Sequence, residues 1–258
     1  MTDDPDLGGE IALGSALFTL VEPHKGHAVA YNRWYERDHF YAGCMIGPWY
    51  FAGRRWVCTR DLKDMRLVGG TPLFGDDRAG SFLALYWTLK GRFRENTDWS
   101  TRQVHWLHRH DRMFAERDHI HTLLYIYKDA EARDPDGVPA ELALDHPFRG
   151  LGAVVVERHG DDAALPRPAL AADSAVALVL SFKGVPLPPD APVSQPGTEG
   201  VEHRELQLWF ADDEPPAWWS AASDYAADVA ESGRGMVRWA SPFIPTVPGT
   251  DRYTDRLW

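Results

Sequence analysis

The apolar positions of this chain fall in short runs bounded by Gly, Pro and Asp, a pattern that predicts strands alternating with amphipathic helices. ALFTLVE (16–22) reads as a strand that ends at Pro23, before a Gly-containing turn. A helix is expected from about Ala28 to Tyr41. GPWYFAGRRWVCTR (47–60) is aromatic and β-branched and predicts a second strand, with a bulge at Gly53. After the glycine-punctuated stretch 64–80, SFLALYWTLKG (81–91) predicts a third strand, and Trp99 to Ala132 reads as helix in two pieces. RGLGAVVVERHG (149–160) then closes a unit of order β-α-β-β-α-β, the ferredoxin-like arrangement.

The second half repeats part of this order. Residues 161–174 read as a linker on their Pro, Ala and Asp content, and AVALVLSFKG (175–184) starts another strand. LALYWT precedes a helix entered through Trp99-Ser100, and LQLWFA precedes one entered through Trp219-Ser220. Each helix leads to a closing strand, AVVVERH or GMVRWAS, so the chain reads as a degenerate internal repeat. Between the first strand of the second half and HRELQLWF the chain is short and rich in Pro and Gly, so the counterpart of the opening helix is expected to be missing. The division is therefore 1–160 for a ferredoxin-like unit with a complete pocket, 161–174 for a linker, and 175–258 for a degenerate unit with a C-terminal tail.

The opening helix carries the strongest local anomaly. In YNRWYERDHFYAG (31–43), Tyr31, Tyr35 and His39 stand at i, i+4 and i+8, with Asn32 and Glu36 on the neighbouring row and a glycine at the end. A plain core stripe is aliphatic, because a buried phenol, amide or imidazole loses free energy unless it finds a partner. The stretch thus predicts the polar wall of a pocket.

The aromatic-rich YNRWYERDH after a first strand, the following F-x-G-R-R-W strand and the β-α-β-β-α-β order resemble the dimeric α/β-barrel superfamily, more narrowly its EthD-like and polyketide-cyclase-like members. The resemblance implies an α+β fold in which two ferredoxin-like units pair their sheets into a barrel, here within one chain as a tandem form with a degenerate second repeat. It covers residues 14–160, and 175–243 by order of elements. The superfamily includes cofactor-free monooxygenases, polyketide cyclases, isomerases, dehydratases and haem proteins, so the resemblance speaks to fold more than to reaction. It also implies a functional histidine near the position of His39.

Candidate chemistry follows from these residues. His39 is the candidate general acid or base; the plainer reading is an imidazole near a helix C-terminus. Asn32 and Tyr35 are candidates to orient a ligand carbonyl or enolate. His24 and His27 flank the turn after the first strand, and His24 is taken as a binding residue at the pocket mouth. Arg54 and Arg55 alternate along their strand, so at most one faces the pocket, and Arg54 is the candidate. Tyr86 and Trp87 alternate likewise, one being expected in the cavity and the other in the sheet core. In HWLHRHDRMFAERDHIH (105–121), His105 and His108 stand at i, i+3, a spacing open to metal or haem ligation. Three arginines crowd the run and no H-E-x-x-H is present, so a charged helix face is the expectation and no metal is assigned.

Composition narrows the classes further. The 258 residues include 44% hydrophobic positions, enough for a sizeable core, and the net charge of -11 comes without any Lys/Arg-rich run. Nucleic acid and anionic membranes are therefore not expected partners. No secretory signal or apolar run of membrane-spanning length is present, which predicts a cytoplasmic protein. Cys44 and Cys58 are expected as reduced thiols. No nucleotide motif occurs and no cofactor is expected. The functional expectation is a cofactor-free enzyme using acid-base and enolate chemistry (cyclisation, isomerisation or dehydration) on an apolar, polyketide-like or polycyclic molecule. The alternatives are a cofactor-independent monooxygenase in the same pocket and a non-catalytic binding protein, as a monomeric pseudo-dimer or a homodimer.

Overall fold

The computed structural model describes residues 10–160, 164–186 and 198–258. Strand β1 (Leu13–Pro23) is followed by helix α1 (Ala28–Trp34), which continues without a break through two wider, π-helical turns, Tyr35–His39 and Tyr41–Met45. Then come β2 (Tyr50–Val57), the single turn α2 (Arg60–Lys63), the short β3 (Leu67–Val68), β4 (Phe82–Leu89), α3 (Phe93–Arg109) and β5 (Arg117–Ala132). The second half holds β6 (Gly150–Arg158), β7 (Val176–Gly184), β8 (Arg204–Ala211), α4 (Ser220–Glu231) and β9 (Gly235–Pro245).

The strands form one antiparallel sheet in the order β2-β4-β1-β5-β7-β8-β6-β9, with β3 at the outer edge of β9. It closes on itself, because the end of β2 pairs with the end of β9, Trp56 opposite Pro245 and Val57 opposite Ile244. Two ferredoxin-like half-sheets are visible in that order. β2-β4-β1-β5 makes the first, and β7-β8-β6-β9 repeats its topology. They join at the β5–β7 seam and the β2–β9 seam, so the α+β barrel lies within one chain.

Alternation along the strands sorts the core into three layers. Ala16, Phe18, Leu20, Trp56, Leu85, Trp87, Leu180, Phe182, Leu208, Phe210 and Trp239 fill the barrel. Val154, Val156, Val179 and Trp209 face outward, under Trp218, Trp219, Ala222 and Tyr225 of the α4 region. On the first half, Val21, Val57, Phe82, Ala84 and Tyr86 face outward under Tyr31, Tyr35 and Cys44.

Six expectations need correction. The second helical piece is the sixteen-residue strand β5, so the first unit closes with β5. AVVVERH, expected to close that unit, lies in β6, which pairs with β8 and β9 and belongs to the second half-sheet. The boundary between units thus falls between β5 and β6, not at 161–174, part of which (161–163) lies outside the described residues. The helix missing from the second half is the one between β6 and β7, where the described residues contain none; residues 187–197 of the expected gap lie outside the description.

The other two corrections concern glycines. The bulge in β2 lies between Tyr50 and Ala52, and Gly53 is in register opposite Tyr86. Glycine is needed there for space: a Cβ would stand 2.8 Å from the Met45 sulfur, 2.9 Å from Phe40 and 2.9 Å from Tyr86. Nor does the opening helix stop at Gly43. Its second π turn runs to Met45, and a Cβ at Gly43 would lie 3.0 Å from the His39 ring.

Candidate functional site

A cavity of about 520 Å³ lies between the outward face of the first half-sheet and the α1 and α3 layer. Leu17, Thr19, Tyr86, Thr122 and Leu124 form its floor. Tyr35, His39 and Cys44 come from the α1 wall, and Thr97, Ser100, Thr101, Val104 and His108 from α3. The 111–115 loop covers it, held down by Trp34, whose Nε1 donates to the Arg112 carbonyl at 2.9 Å, and by an Asp38–Arg112 ion pair. The volume falls in the range of small-molecule sites.

Two backbone irregularities shape its polar contents. The first is the π turn. Ile46 N–H reaches back to the Tyr41 carbonyl at 3.1 Å, and Phe40 N–H to that of Tyr35. The wider turn brings residues five apart together, so the His39 ring stacks on Trp34 with centroids 4.4 Å apart and planes 18° apart.

The second is a β-bulge in β5. Leu20 pairs with His121 and Val21 with His119, leaving Ile120 as the extra residue. From Thr122 onward the even positions face the cavity; before the bulge the odd positions do. His119 and Arg117 are thereby turned into the cavity, while Ile120, Leu123 and Tyr125 pack with the barrel core. His121 lies fully buried against Phe18 and Phe74 and shares a 2.6 Å hydrogen bond with the Tyr125 hydroxyl.

The electrostatics of the cavity are cationic. His39 is held neutral, its pKa lowered to about 3 first by burial and then by Arg117, His119, His108 and Arg112. Its Nδ1 is buried with no hydrogen-bond partner. His119, lowered to about 4 by burial and by Arg117, shares a 3.0 Å hydrogen bond with the Thr122 hydroxyl. Tyr35 and Tyr86 form a buried phenol pair, oxygens 2.9 Å apart, and burial raises both above the usual phenol range. Burial likewise pushes the Cys44 thiol up to about 12, so it is no nucleophile.

The structure brings His39, Tyr35 and Tyr86 together in this cavity and places the other candidates elsewhere. Asn32 is buried outside it: its amide donates to the Thr250 carbonyl at 2.9 Å and its oxygen accepts from Arg55 at 2.8 Å. Arg54 points toward the end of the barrel, lies over Trp56, and donates to the carbonyls of Leu144, His146 and Phe148. The outward arginine is Arg55, and it is engaged with Asn32 and Glu36. Trp87 faces the barrel and donates to the Ala140 carbonyl at 3.1 Å. His24 is at the surface between Glu116 (3.1 Å) and Asp118 (3.2 Å), whose hydrogen bonds raise its pKa. Arg117 and His119 were hidden from sequence reasoning by the bulge.

A histidine that ligates a metal or haem is normally braced through its other ring nitrogen by a carboxylate or carbonyl. His39 has no such partner, His119 has a hydroxyl, and neither His105 nor His108 has a carboxylate on its ring. Among the described residues no group of three or more His, Cys, Asp or Glu stands where it could hold a metal. This donor set does not fit a haem or metal centre. No helix among the described residues is long and apolar enough to cross a membrane.

No family model and no curated protein sequence matches the chain. Solved structures do. A crystal structure assigned as a chlorite dismutase superposes with a TM-score of 0.51 at 11% identity, covering 96% of this chain and 100% of that one. A DypB variant in complex with manganese superposes with a TM-score of 0.50 at 8% identity, covering 95% and 96%. At such identities the likeness is one of fold, and it agrees with the dimeric α/β-barrel architecture.

Proposed function

We propose that the cavity is the active site of a cofactor-free enzyme that binds an apolar, ring-bearing small molecule and moves a proton next to a carbonyl. The observation that carries this reading is the neutral His39 imidazole, which lines the cavity beside the Tyr35 ring, centroids 5.3 Å apart. A neutral imidazole keeps one ring nitrogen able to accept a proton. The Tyr35–Tyr86 pair supplies the second element, since only one of the two hydroxyl hydrogens is used between them. The other, which Tyr86 can also direct to the Cys44 thiol, would stabilise the oxyanion of an enolate, while His39 takes or returns the proton. Cyclisation, isomerisation and dehydration all need these steps, and oxygenation of an electron-rich enolate uses the same groups.

One observation favours a second reading. An imidazole whose pKa lies at about 3 is a weak base in the empty cavity. That suits a protein that only binds, with His39 as a hydrogen-bonding contact.

Untargeted mass spectrometry of compounds extracted from the purified protein, followed by incubation of each with the protein, separates the two. Turnover by the wild type that drops about 10²–10⁴-fold in His39→Ala, and less in Tyr35→Phe, supports catalysis. Equal turnover in His39→Ala refutes the assignment of His39. Tight binding without turnover makes the protein a binder.

A further inference from the structure

We propose that Arg117 is an anion-binding residue, and that the ligand of the cavity carries a carboxylate attached to its apolar ring system. The inference rests on the reading of the cavity as a small-molecule site and names the chemical class that this site selects.

Arg117 lines the cavity, half-buried, with its guanidinium carbon 4.8 Å from the centroid of the Trp34 ring. Among the described residues no carboxylate lies within ion-pair distance of the guanidinium and no carbonyl accepts a hydrogen bond from it. Other poorly exposed cations among the described residues are neutralised or hydrogen-bonded. Arg55 has Glu36 at 3.2 Å, Lys63 has Glu22 at 3.1 Å, Arg238 is paired with Glu157, and Arg54 and Arg66 donate to backbone carbonyls. A partly desolvated guanidinium that no protein acceptor satisfies is well placed to take one from a ligand.

The chain also keeps its own acids away. Glu116 and Asp118 flank Arg117 in sequence, but alternation turns them to the opposite side, where His24 holds both. In the α1 wall, Asp38 is taken by Arg112 and Glu36 by Arg55. Of the cavity's lining, only Asp111 is acidic, and it is exposed on the covering loop. Of the other ionisable groups that line the cavity, burial keeps His39 and His119 uncharged and holds Tyr35, Cys44, Tyr50 and Tyr86 protonated.

A carboxylate is the match for such a group, because guanidinium and carboxylate form charge-assisted hydrogen bonds with complementary geometry. The Tyr35, Tyr50, Tyr86 and Phe114 rings that line the cavity provide the apolar contact. An anion at Arg117 would also remove part of the positive field that keeps His39 a weak base, so the ligand itself would raise the proton affinity of the imidazole.

Isothermal titration of the full chain with 2-naphthoate and with its neutral isostere 2-naphthamide tests this, with Trp34-region fluorescence and the His39 and His119 ring NMR signals reporting cavity occupancy. Naphthoate is expected to bind about 10–100-fold more tightly than naphthamide, the range of a hydrogen-bonded charge contact. Arg117→Gln or Arg117→Met should abolish that preference and leave the naphthamide affinity unchanged; circular dichroism confirms that each variant folds, and the wild-type comparison stands without them. Equal affinities in the wild type, or a preference that survives in either folded variant, overturn the role of Arg117 while the cavity reading remains. Failure of both compounds to enter the cavity overturns the two together.

Discussion

Replacing Asn32 by Ala should unfold the protein more readily without touching ligand binding, although sequence reasoning places this residue in the active site. Asn32 is 3% exposed and sits between two groups that have few other options. Its oxygen accepts from Arg55 Nη1 at 2.8 Å, and its amide donates to the Thr250 carbonyl at 2.9 Å. Arg55 is itself only 6% exposed, lies over the Tyr35 ring at 4.6 Å, and already has a buried Nη2 without a partner. Around this pair the C-terminal segment is fastened to α1 by Arg33 to Asp251 at 3.0 Å and by Gly249 N–H to Glu36 at 3.0 Å. Removing the amide deletes one bond to a charged donor and one to a carbonyl, leaving both buried. At about 1.5–3 kcal/mol for the first and about 1 kcal/mol for the second, the loss is about 2.5–4 kcal/mol. Urea denaturation should show a lower midpoint with an unchanged slope. In the double variant Asn32→Ala/Arg55→Met the loss should fall short of the sum of the two single losses by about 1–2 kcal/mol, because each single change strands the other member of the pair. A loss under about 0.5 kcal/mol, joined to a tenfold weaker affinity for a cavity ligand, would refute the structural role and return Asn32 to the site.

Acid should destabilise the fold before any carboxylate titrates. His39, His119 and His121 have folded pKa values lowered to about 3, about 4 and about 3 from an ordinary 6.5. The unfolded chain therefore takes up protons first, and stability that is whole above pH 6.5 is lost as pH falls toward 4. Each such imidazole contributes a slope of up to about 1.4 kcal/mol per pH unit, so a urea midpoint flat between pH 7 and 5 would contradict their burial. Gly53→Ala should cost about 1–3 kcal/mol by overpacking, since its Cβ would meet Met45, Phe40 and Tyr86 together; a thermal midpoint within 1–2 °C of wild type, against the ~2–4 °C per kcal/mol expected for this size, would show that the α1 wall yields. Deleting Ile120 should leave a regular strand with Arg117 and His119 still on the cavity side, because Leu20–His121 and Val21–His119 then pair as consecutive residues; the cost, read from the urea midpoint, is the loss of the Ile120 side chain from the barrel core. A folded deletion variant whose His119 ring NMR signal no longer responds to a cavity ligand would contradict that register.

Much of the architecture is written in local patterns. The runs at β1, β2, β4, β7, β8 and β9 carry enough apolar and β-branched residues to be read as strands, and of the mixed stripe read as a pocket wall Tyr35 and His39 line the cavity while Tyr31 packs in the core beside it. Less local information decides between neighbours of opposite direction. Arg54 and Arg55, or Tyr86 and Trp87, are equivalent to a reader of alternation. Which one meets α1 depends on the closing of the barrel, which fixes the Trp56 and Trp87 face as interior. Asn32 misleads for a related reason: its partner Thr250 lies 218 residues away, in a tail with no pattern of its own.

The reading of β5 as helix and the absence of Arg117 from the candidates have one physical cause. Across a bulge the side-chain alternation slips by one residue, and in DHIHTLLYIY this leaves Ile120, Leu123, Leu124 and Tyr127 at i, i+3, i+4 and i+7, the spacing of an amphipathic helix. The composition argued otherwise: Ile120, Thr122, Tyr125, Ile126 and Tyr127 are β-branched or aromatic, and no capping residue opens a helix at Arg117. Had the extra residue been recognised, Arg117, His119, Thr122 and Leu124 would have fallen on one face, opposite His121, Leu123 and Tyr125. That face meets the wall formed by the π turn of α1, itself a one-residue irregularity that sets His39 on Trp34. The cavity's polar set is thus assembled by two insertions into otherwise regular elements, each of which re-aims the side chains that regular periodicity would have sent elsewhere.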